Sequence, residues 1–576
     1  MNNILRVNTL TKEIRSEACK PEEVLLGGRS LIADLALKEI DPNCDPLGRK
    51  NKFILAVGLL GDTNVTTSGR FSVGGKSPLT GGIKEANVGG SVGRTMAMLG
   101  FRAVVLEDAP AVRQTNILVI TGEKVQLISA PDFQNLAVRA TCRLLRDRFG
   151  KNVGVICVGP AGEMQMAGAG LATTDKDGIQ IRFAGRGGMG AVIGSKGIKA
   201  IVFDDTGVKT TTKYDRKALN AANKKLVQII RDDPKTESRH NFGTPGVLAI
   251  CDSLGILPTR NFSAGHFERM DAISGRTIRE LIDKRGGDGR AGQPCVQGCI
   301  IQCSNVFPDP SGKATVASLQ YENIALLGSN CGIGDIDDIA ELNDLCNEVG
   351  LDAIETGAAI GVAMEAGVIP FGDSEGAKDL IHQVLKGTPL GRIIGNGVVI
   401  TGKIFGVKRV PAIKGQAIPA YDPRSLKGIG VTYVTSPMGA DHTAGNALEM
   451  ADTIDPRGRD GQVEVSLRLQ LRAAILDSLG VCLFIRPAFV KSPELLAELI
   501  NARHGRKLQF KDVQQMGMNC LETEREFNRR AGVSTEHFDV PEFMRYEPLP
   551  PYNTVFDLTM DEMNKILEVQ APKDQF

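Results

Sequence analysis

Short apolar runs separated by glycine-rich turns dominate the first third of the chain. The runs FILAVGLL (53–60), AVVLE (103–107) and ILVIT (117–121) have the length and β-branched content of buried strands. Two further runs, at 153–159 and 199–205, repeat this pattern. Residues 1–208 are therefore predicted to form a β-rich domain.

The spacing of apolar residues becomes helical from about residue 212. Ile339, Leu342, Leu345 and Val349 form one apolar stripe, and KALNAANKKLVQIIRDD (217–233) has the same period. Helical segments then continue to the C-terminus. We predict an α+β protein in which the β-rich domain is followed by two mainly α-helical domains, at 209–415 and 416–576.

Two helical stripes end in similar short motifs. NEVGLD (347–352) and DSLGVC (477–482) both place a glycine, Gly350 or Gly480, where a helix takes its left-handed C-terminal residue. The polar residues around each glycine would then be presented at a helix end. We expect the two ends to be aimed at one ligand.

Composition narrows the class of protein. The chain has 576 residues, 42% hydrophobic and 23% charged, and its net charge of +1 gives no reason to expect nucleic acid or an anionic membrane as a partner. The N-terminus lacks the layout of a signal peptide, and no apolar run reaches the roughly 18 residues that span a bilayer. We expect a cytoplasmic protein.

Three of the twelve cysteines are closely spaced. Cys295, Cys299 and Cys303 recur every four residues, and thiolates suit iron–sulfur clusters and zinc. If the segment is helical, each step turns only about 40°, so the three sulfurs would face one side. Core packing is the plain alternative, and zinc would more often show Cys-x-x-Cys pairs. A cluster is favoured, with Cys482 as the distant fourth ligand.

A glycine-rich stretch at 68–90 resembles nucleotide-binding loops but departs from both common forms. Arg70 stands where a Walker loop has glycine, and Val88 stands at the first glycine of a dinucleotide fingerprint. Turn glycines alone are one explanation. Glycines beside Arg70, Lys76, Asn87 and the Arg186–Gly188 segment also indicate backbone close to an anionic ligand.

Two further side chains have both a structural and a chemical interpretation. His442 lies in a polar loop without helical period, where a lone histidine is often structural. Glu322 precedes the run IALLG, where it is also a plain helix-start carboxylate.

Taken together, these segments resemble the aldehyde:ferredoxin oxidoreductase family of tungstopterin enzymes over nearly the whole chain. The matching blocks are residues 61–90, 184–202, 321–330, 347–352, 418–442 and 477–482. The resemblance implies a tungsten ion held by two pterins, with molybdenum the less favoured metal, a [4Fe-4S] cluster, and a Mg²⁺ ion bridging the pterin phosphates beside Asn87 and Gly187. It also implies a β domain that forms a base under the pterins.

The resemblance assigns site residues one by one. The pterins would be contacted by Arg70, Asn87, Gly89, Arg186, Gly187, Asn347, Leu351, Asp352, Asp477 and Val481. The cluster would be held by Cys295, Cys299, Cys303 and Cys482, and Glu322 and His442 would lie close to the metal. Carboxylates such as Asp352 and Asp477 match the N–H and amino donors of a pterin.

Four positions depart from the family pattern. Cys295 and Cys299 are separated by three residues instead of two. Asn347 replaces an aspartate, Met438 occupies a position often filled by arginine, and Asp441 precedes the histidine where other members vary. These departures bear on the substrate.

The resulting hypothesis is oxidation of an aldehyde to a carboxylic acid, with electrons passed to ferredoxin or to a small iron–sulfur subunit. His442 would polarise the carbonyl and Glu322 would deprotonate water or the hydrate. The alternatives are a related tungsten enzyme that reduces an aromatic acyl thioester, and a cluster-only electron-transfer subunit. A homodimer and a hetero-oligomer are both compatible with the sequence.

Overall fold

The first half of the N-terminal region forms one mixed sheet. The computed structural model describes residues 3–112, 114–175, 178, 181–209 and 214–568. The sheet has the strand order β2-β1-β6-β3-β4-β5, in which only the β1–β6 pair is parallel. Its elements are β1 (Asn3–Asn8), β2 (Ile14–Ala18), α1 (Gly28–Glu39), β3 (Phe53–Val57), β4 (Phe71–Lys76), β5 (Ile83–Val88), α2 (Val92–Met98) and β6 (Phe101–Glu107).

The second half repeats this topology. Its strand order, β8-β7-β12-β9-β10-β11, corresponds strand for strand to the first sheet, and again only the β7–β12 pair is parallel. The elements are β7 (Asn116–Thr121), β8 (Val125–Ser129), α3 (Val138–Phe149), β9 (Gly154–Cys157), α4 (Pro160–Glu163), β10 (Leu171–Thr174), β11 (Ile181–Ala184), α5 (Met189–Ser195) and β12 (Ile198–Asp204).

The continuous apolar runs arise because both faces of the central strands are buried. In β3, Leu55 and Val57 pack into the core between the two sheets, whereas Ile54 and Ala56 pack on the opposite face with α1. Successive side chains of a strand point to opposite faces, so a strand buried on both sides has no polar alternation. This is the reason that FILAVGLL reads as an unbroken run.

The remainder of the chain is mostly helical. Its elements are α6 (Arg216–Arg231), α7 (Pro234–Phe242), α8 (Leu248–Ser253), α9 (Gly275–Arg285), β13 (Arg290–Gln293), β14 (Ser304–Pro308), β15 (Ala314–Val316), α10 (Tyr321–Leu327), α11 (Ile336–Val349), α12 (Ala353–Glu365), α13 (Ser374–Lys386), α14 (Pro389–Gly395), α15 (Val398–Phe405), β16 (Ala412–Ile413), β17 (Gln416–Ala417), α16 (Lys427–Thr435), α17 (Gln462–Leu479), α18 (Pro487–Lys491), α19 (Glu494–His504), α20 (Phe510–Arg530), α21 (Phe543–Tyr546) and α22 (Met560–Asn564).

The predicted fold class is confirmed: a β-rich N-terminal part precedes a mainly helical remainder. The domain boundaries at 208 and 415 stay predictions. The small β13–β15 sheet was not expected from the sequence. In the described part of the chain, no single helix is both long and apolar enough to cross a membrane; α17 and residues 483–491 meet the length and composition test only as a pair bent by 116°.

Candidate functional site

The two sequence motifs with similar glycines lie at equivalent points of the two N-terminal sheets. Helix α11 ends at Gly350 (φ 79°) and α17 ends at Gly480 (φ 70°), both left-handed as the sequence predicts. Gly350 packs on Gly159, just after β9, and Gly480 packs on Gly58, just after β3. A Cβ on Gly58 would lie 2.1 Å from the Gly480 nitrogen, so these contacts need glycine on the strand side.

Backbone hydrogen bonds repeat the same correspondence. The Gly480 carbonyl accepts from the Arg70 amide at 3.2 Å, and the Gly350 carbonyl accepts from the Gly170 amide at 2.9 Å. Arg70 directly precedes β4 and Gly170 directly precedes β10. The two helix ends therefore dock at equivalent points of a duplicated base, which is an arrangement suited to a ligand with two similar halves.

Arg70 connects the glycine-rich stretch to the cysteines. Its Nε donates to Asn87 Oδ1 at 2.5 Å, and its Nη1 lies 3.8 Å from the Cys295 sulfur. A Cβ on Gly89 would lie 3.2 Å from that sulfur and 3.3 Å from Arg70 Nη1. The Gly90 amide donates to the Cys295 carbonyl at 3.0 Å. The predicted ligand-binding residues Arg70, Asn87 and Gly89 therefore form one contact network with Cys295.

Arg186, which follows β11, makes the main polar contacts of the second half. It donates from Nε to Asp352 Oδ2 at 3.3 Å, and from its other nitrogens to the carbonyls of Ala440 (2.5 Å) and Ala417 (2.7 Å). Asp352 also caps α12 through the Ile354 amide. The neighbouring Gly187 is left-handed (φ 78°), and a Cβ there would overlap the Lys84 side chain. Arg186 thus joins the NEVGLD motif to the loop that carries His442.

The carboxylate of Asp477, at the end of α17, has weaker polar contacts than that of Asp352. Its nearest cationic atom is Arg29 Nη1 at 3.6 Å, and Arg29 is itself held by two hydrogen bonds to Glu524. Burial raises the pKa of Asp477 to about 6. Asp477 can therefore either accept or donate a hydrogen bond near neutral pH. Leu351 and Val481, which follow the two glycines, are buried, and Asn347 is half-buried.

The three clustered cysteines lie in the loop between β13 and β14, so the helical geometry considered from their spacing is wrong. The loop instead turns through left-handed Gly298 and Gln302. Thr66 Oγ1 donates to the Gly298 carbonyl at 2.9 Å, and the adjacent Thr67 Oγ1 accepts from the Cys482 amide at 3.3 Å. One threonine pair therefore holds the cysteine loop and the distant Cys482 segment.

The neighbouring cysteine thiols shift one another's pKa. A hydrogen bond from Cys299, together with the charges of Arg70 and Arg182, lowers the pKa of Cys295 to about 5. Burial and the charges of Cys295 and Cys482 raise the pKa of Cys303 to about 12, and burial raises that of Cys482. Within the described residues, no group of three or more His, Cys, Asp and Glu side chains stands in ready metal-binding geometry. The set nevertheless has the chemistry of a soft, thiolate-rich site under positive charge.

Glu322 and His442 face each other through two buried atoms. Glu322 lies in the first turn of α10, and its Oε2 accepts from the Ala420 amide at 2.8 Å. Its Oε1 lies 3.5 Å from His442 Nδ1, within ion-pair distance but outside hydrogen-bond geometry. Among the described residues, neither atom has a hydrogen-bond partner. Burial raises the pKa of Glu322. The two unpaired atoms are therefore available to hydrogen-bond a bound molecule.

Several residues near Glu322 and His442 or near the cysteines were missed from the sequence. Tyr433 on α16 is fully buried, and its hydroxyl finds no hydrogen-bond partner within the described residues. Lys84 forms a buried ion pair with Asp441, the residue before His442. Arg182 donates to Ser304 at 2.8 Å and adds positive charge at the cysteines. Tyr433 falls in an apolar helical run, where an aromatic residue reads as core, so no signal marked it.

Comparison with known proteins gives matches along the chain. The family model "Aldehyde ferredoxin oxidoreductase, N-terminal domain" matches residues 4–205, and the model "Aldehyde ferredoxin oxidoreductase, domains 2 & 3" matches residues 221–568. The tungsten-containing aldehyde ferredoxin oxidoreductase of Pyrococcus furiosus is 31% identical over 95% of this chain and 91% of its own length. The Thermococcus kodakarensis protein of the same name is also 31% identical, with the same coverage.

More distant likenesses extend the comparison. The WOR-like subunit of an aliphatic sulfonate oxidoreductase from Pyrococcus furiosus is 24% identical over 94% of this chain and 89% of its own. The solved active-site complex BamBC of benzoyl coenzyme A reductase, with bound 1,5-dienoyl-CoA, superimposes with a TM-score of 0.82 at 17% identity. It covers 98% of this chain and 93% of that one, and shows a shared fold.

Proposed function

Because the chain belongs to the aldehyde ferredoxin oxidoreductase family, we propose that it oxidises aldehydes to carboxylic acids as a tungsten-pterin oxidoreductase. When bound, a tungsten bis-pterin would accept the electron pair of the aldehyde and a [4Fe-4S] cluster would pass the electrons on singly. Tungsten is favoured over molybdenum because the relatives at 31% identity are named as tungsten-containing.

The observation that carries this proposal is the orphaned Glu322–His442 pair. Both atoms that face each other lack a hydrogen-bond partner in the described structure, although both are buried. Leaving such groups unpaired costs about 1–3 kcal/mol each, so a scaffold role explains them poorly. A substrate carbonyl and an attacking water would supply the missing partners.

The chemistry of the pair follows from its surroundings. The Ala420 amide fixes Glu322 through Oε2 and leaves Oε1 to take a proton from water or from an aldehyde hydrate. Burial raises the pKa of Glu322, which makes the carboxylate a stronger proton acceptor. We assign polarisation of the carbonyl oxygen to His442, which Asp441 orients by holding the Thr443 amide at 2.9 Å.

The residues of the duplicated base fit the cofactors that the resemblance implies. The two docked helix ends form equivalent cradles, each held on the strand side by a glycine (Gly58 or Gly159) that leaves no room for a Cβ, and each motif carries a carboxylate, Asp352 or Asp477. We propose that the pterins and a bridging Mg²⁺ are held by these cradles and their flanking residues: Arg70, Asn87, Gly89, Arg186, Gly187, Asn347, Leu351, Asp352, Asp477 and Val481. The four thiols near Arg70 and Arg182 match the ligand set of a cubane cluster.

The test is turnover of an aldehyde per bound tungsten in two conservative variants. Glu322→Gln keeps the shape and removes the base, and His442→Asn keeps polar character and removes the titratable ring. Each is expected to lose about 10²–10⁴-fold in turnover while keeping its tungsten. Asp344→Asn, a half-buried carboxylate on α11 that pairs with Arg139, is the matched control and should stay within a few-fold of the parent. Variants that keep both metal and rate would overturn the assignment.

One observation favours keeping a second substrate class under test. Met438, in place of an arginine, is buried with its sulfur 3.2 Å from the Glu85 amide, so the site lacks a cation there. The alternative is reduction of an aromatic acyl thioester. Reduction of such a thioester by the reduced protein would favour the second activity. Purified protein that carries the iron–sulfur cluster but no pterin would instead indicate a cluster-only subunit.

The remaining parts of the proposal concern partners and location. Electrons would leave to ferredoxin or to a small iron–sulfur subunit, in a homodimer or a hetero-oligomer. All twelve cysteines are unpaired, which agrees with the reducing cytoplasm that we propose as the location.

A further inference from the structure

The cysteine loop comes closest to solvent at its tip. Gln297 and Gly298, between the first two clustered cysteines, are exposed, whereas Val296 and Cys299 on either side are buried. A Cβ built on Gly298 would have no other atom within 4 Å. An electron leaving the thiols therefore crosses little protein at this tip.

Helix α6 is connected to that tip through Thr66. The Gly298 carbonyl accepts from Thr66 Oγ1 at 2.9 Å, and the Thr66 amide donates to Asn223 Oδ1 of α6 at 2.9 Å. The middle of α6 thus lies two hydrogen bonds away from the exposed loop. Its buried stripe packs inward and leaves the other side to solvent.

The solvent side of α6 is strongly basic. The sixteen residues of the helix contain five basic side chains and no acidic one, and all five are exposed: Arg216, Lys217, Lys224, Lys225 and Arg231. The whole chain has a net charge of only +1, so this concentration is local. Within the described part of the chain, only Lys225 of the five pairs with a carboxylate, that of Glu498. We call these five residues the basic face.

An apolar contact point adjoins the basic face. Helix α18 packs on α6 and follows Cys482 closely, and its Val490 is 66% exposed beside exposed Lys491. Phe484 lies between Cys482 and α18. The guanidinium carbons of Arg239 and Arg486 lie 4.5 and 5.7 Å from the centre of its ring. Val490 is therefore an exposed aliphatic side chain, next to Lys491 in sequence, on a helix that packs on α6.

We propose that the basic face and Val490 dock a small acidic electron-carrier protein, which takes electrons at the Gln297–Gly298 tip. The proposal rests on the proposed function. Oxidation of an aldehyde with water yields a carboxylic acid, two protons and two electrons, so two one-electron carriers are reduced for each aldehyde. The surface suits a transient partner, because permanent subunits bury large apolar interfaces and this one is mostly charged. Opposite charge steers the encounter and makes it sensitive to salt.

The experiment compares charge reversal on and off this face. The double variant Lys217→Glu/Lys224→Glu alters the basic face, and Lys403→Glu/Lys408→Glu applies the same charge change to exposed lysines on and just after α15, which packs on α12 and α14. The probe is a purified acidic ferredoxin. Its affinity for each holoenzyme is measured by surface plasmon resonance at low and at 0.5 M salt, and aldehyde-dependent reduction of ferredoxin and of a small viologen dye is measured in parallel.

The basic-face variant is expected to bind ferredoxin at least about tenfold more weakly at low salt, with dye reduction within twofold of the parent. The difference should shrink at high salt, because exposed charges are then screened. Equal affinity in parent and basic-face variant, or an equal loss in the α15 variant, would overturn the proposal, as would a subunit that stays bound in 0.5 M salt. Absence of dye reduction by the parent would count against the proposed function alone, since the affinities need no turnover.

Discussion

Replacing Gly58 by alanine tests whether the duplicated base positions the helix ends. A Cβ there would lie 2.1 Å from the Gly480 nitrogen, whereas ordinary contact begins at 3.4 Å, so the end of α17 has to retreat by more than an ångström. That movement strains three backbone hydrogen bonds of 3.1–3.2 Å, which join Leu59 to Ser478, Leu60 to Leu479 and Arg70 to Gly480.

The expected loss can be worked from these contacts. Overpacking costs about 1–3 kcal/mol and each lost hydrogen bond about 1 kcal/mol, so Gly58→Ala should cost about 2–6 kcal/mol if one to three of these bonds are lost. Because Asp477 and Val481 move with Gly480, pterin content should fall as well. Gly159→Ala should act in the same way on Gly350 and Asp352, since its Cβ would lie 2.3 Å from the Val349 carbonyl oxygen.

The assay is the unfolding midpoint, measured together with pterin content after purification. Gly61→Ala is the matched control, because it lies on the same loop, its φ is not left-handed, and its nearest contact would be 3.2 Å. If Gly58→Ala has the same unfolding midpoint and pterin content as Gly61→Ala, this contact does not position the helix end. The proposed role of the duplicated base is then wrong.

Two further predictions concern a buried lysine and the cysteine loop. Burial lowers the pKa of Lys414 from an ordinary 10.5 to about 7. Between these values the unfolded chain binds more protons than the folded chain, so the free energy of unfolding should rise with pH from about 7 to 10.5. Lys414→Met should flatten that rise in pH-dependent unfolding, and an unchanged slope would contradict the prediction. Cys299→Ser should abolish or sharply alter the spectroscopic signal of the cluster. The control Cys520→Ser, at a buried cysteine of α20, should leave the signal unchanged. An unaltered signal with four irons in Cys299→Ser would exclude Cys299 as a ligand.

The parts of the fold and site that the sequence predicted are those with local causes. Gly350 and Gly480 could be identified because a helical stripe ends one residue earlier, and a left-handed glycine is the common way to end a helix. The buried strands could be identified because both of their faces are apolar. The resemblance then supplied roles for Glu322 and His442, which the structure brings within 3.5 Å of each other.

The features that escaped prediction depend on contacts between distant segments. Gly58 and Gly159 are ordinary loop glycines until the helix ends pack on them. The four-residue spacing of the cysteines suggested a helix, but left-handed Gly298 and Gln302 turn the segment into a loop held by Thr66. Tyr433 has the setting of a core residue, and only the missing partner of its hydroxyl marks it.

Elemental analysis of the purified protein, with pterin content measured beside it, is the sharpest test of the tungsten-pterin assignment. The account predicts one tungsten, two pterins and four irons per chain, together with aldehyde-dependent reduction of a viologen dye. Four irons without tungsten or pterin in fully folded protein would contradict it and indicate an electron-transfer subunit, and zinc in place of iron would contradict the assignment of the four cysteines.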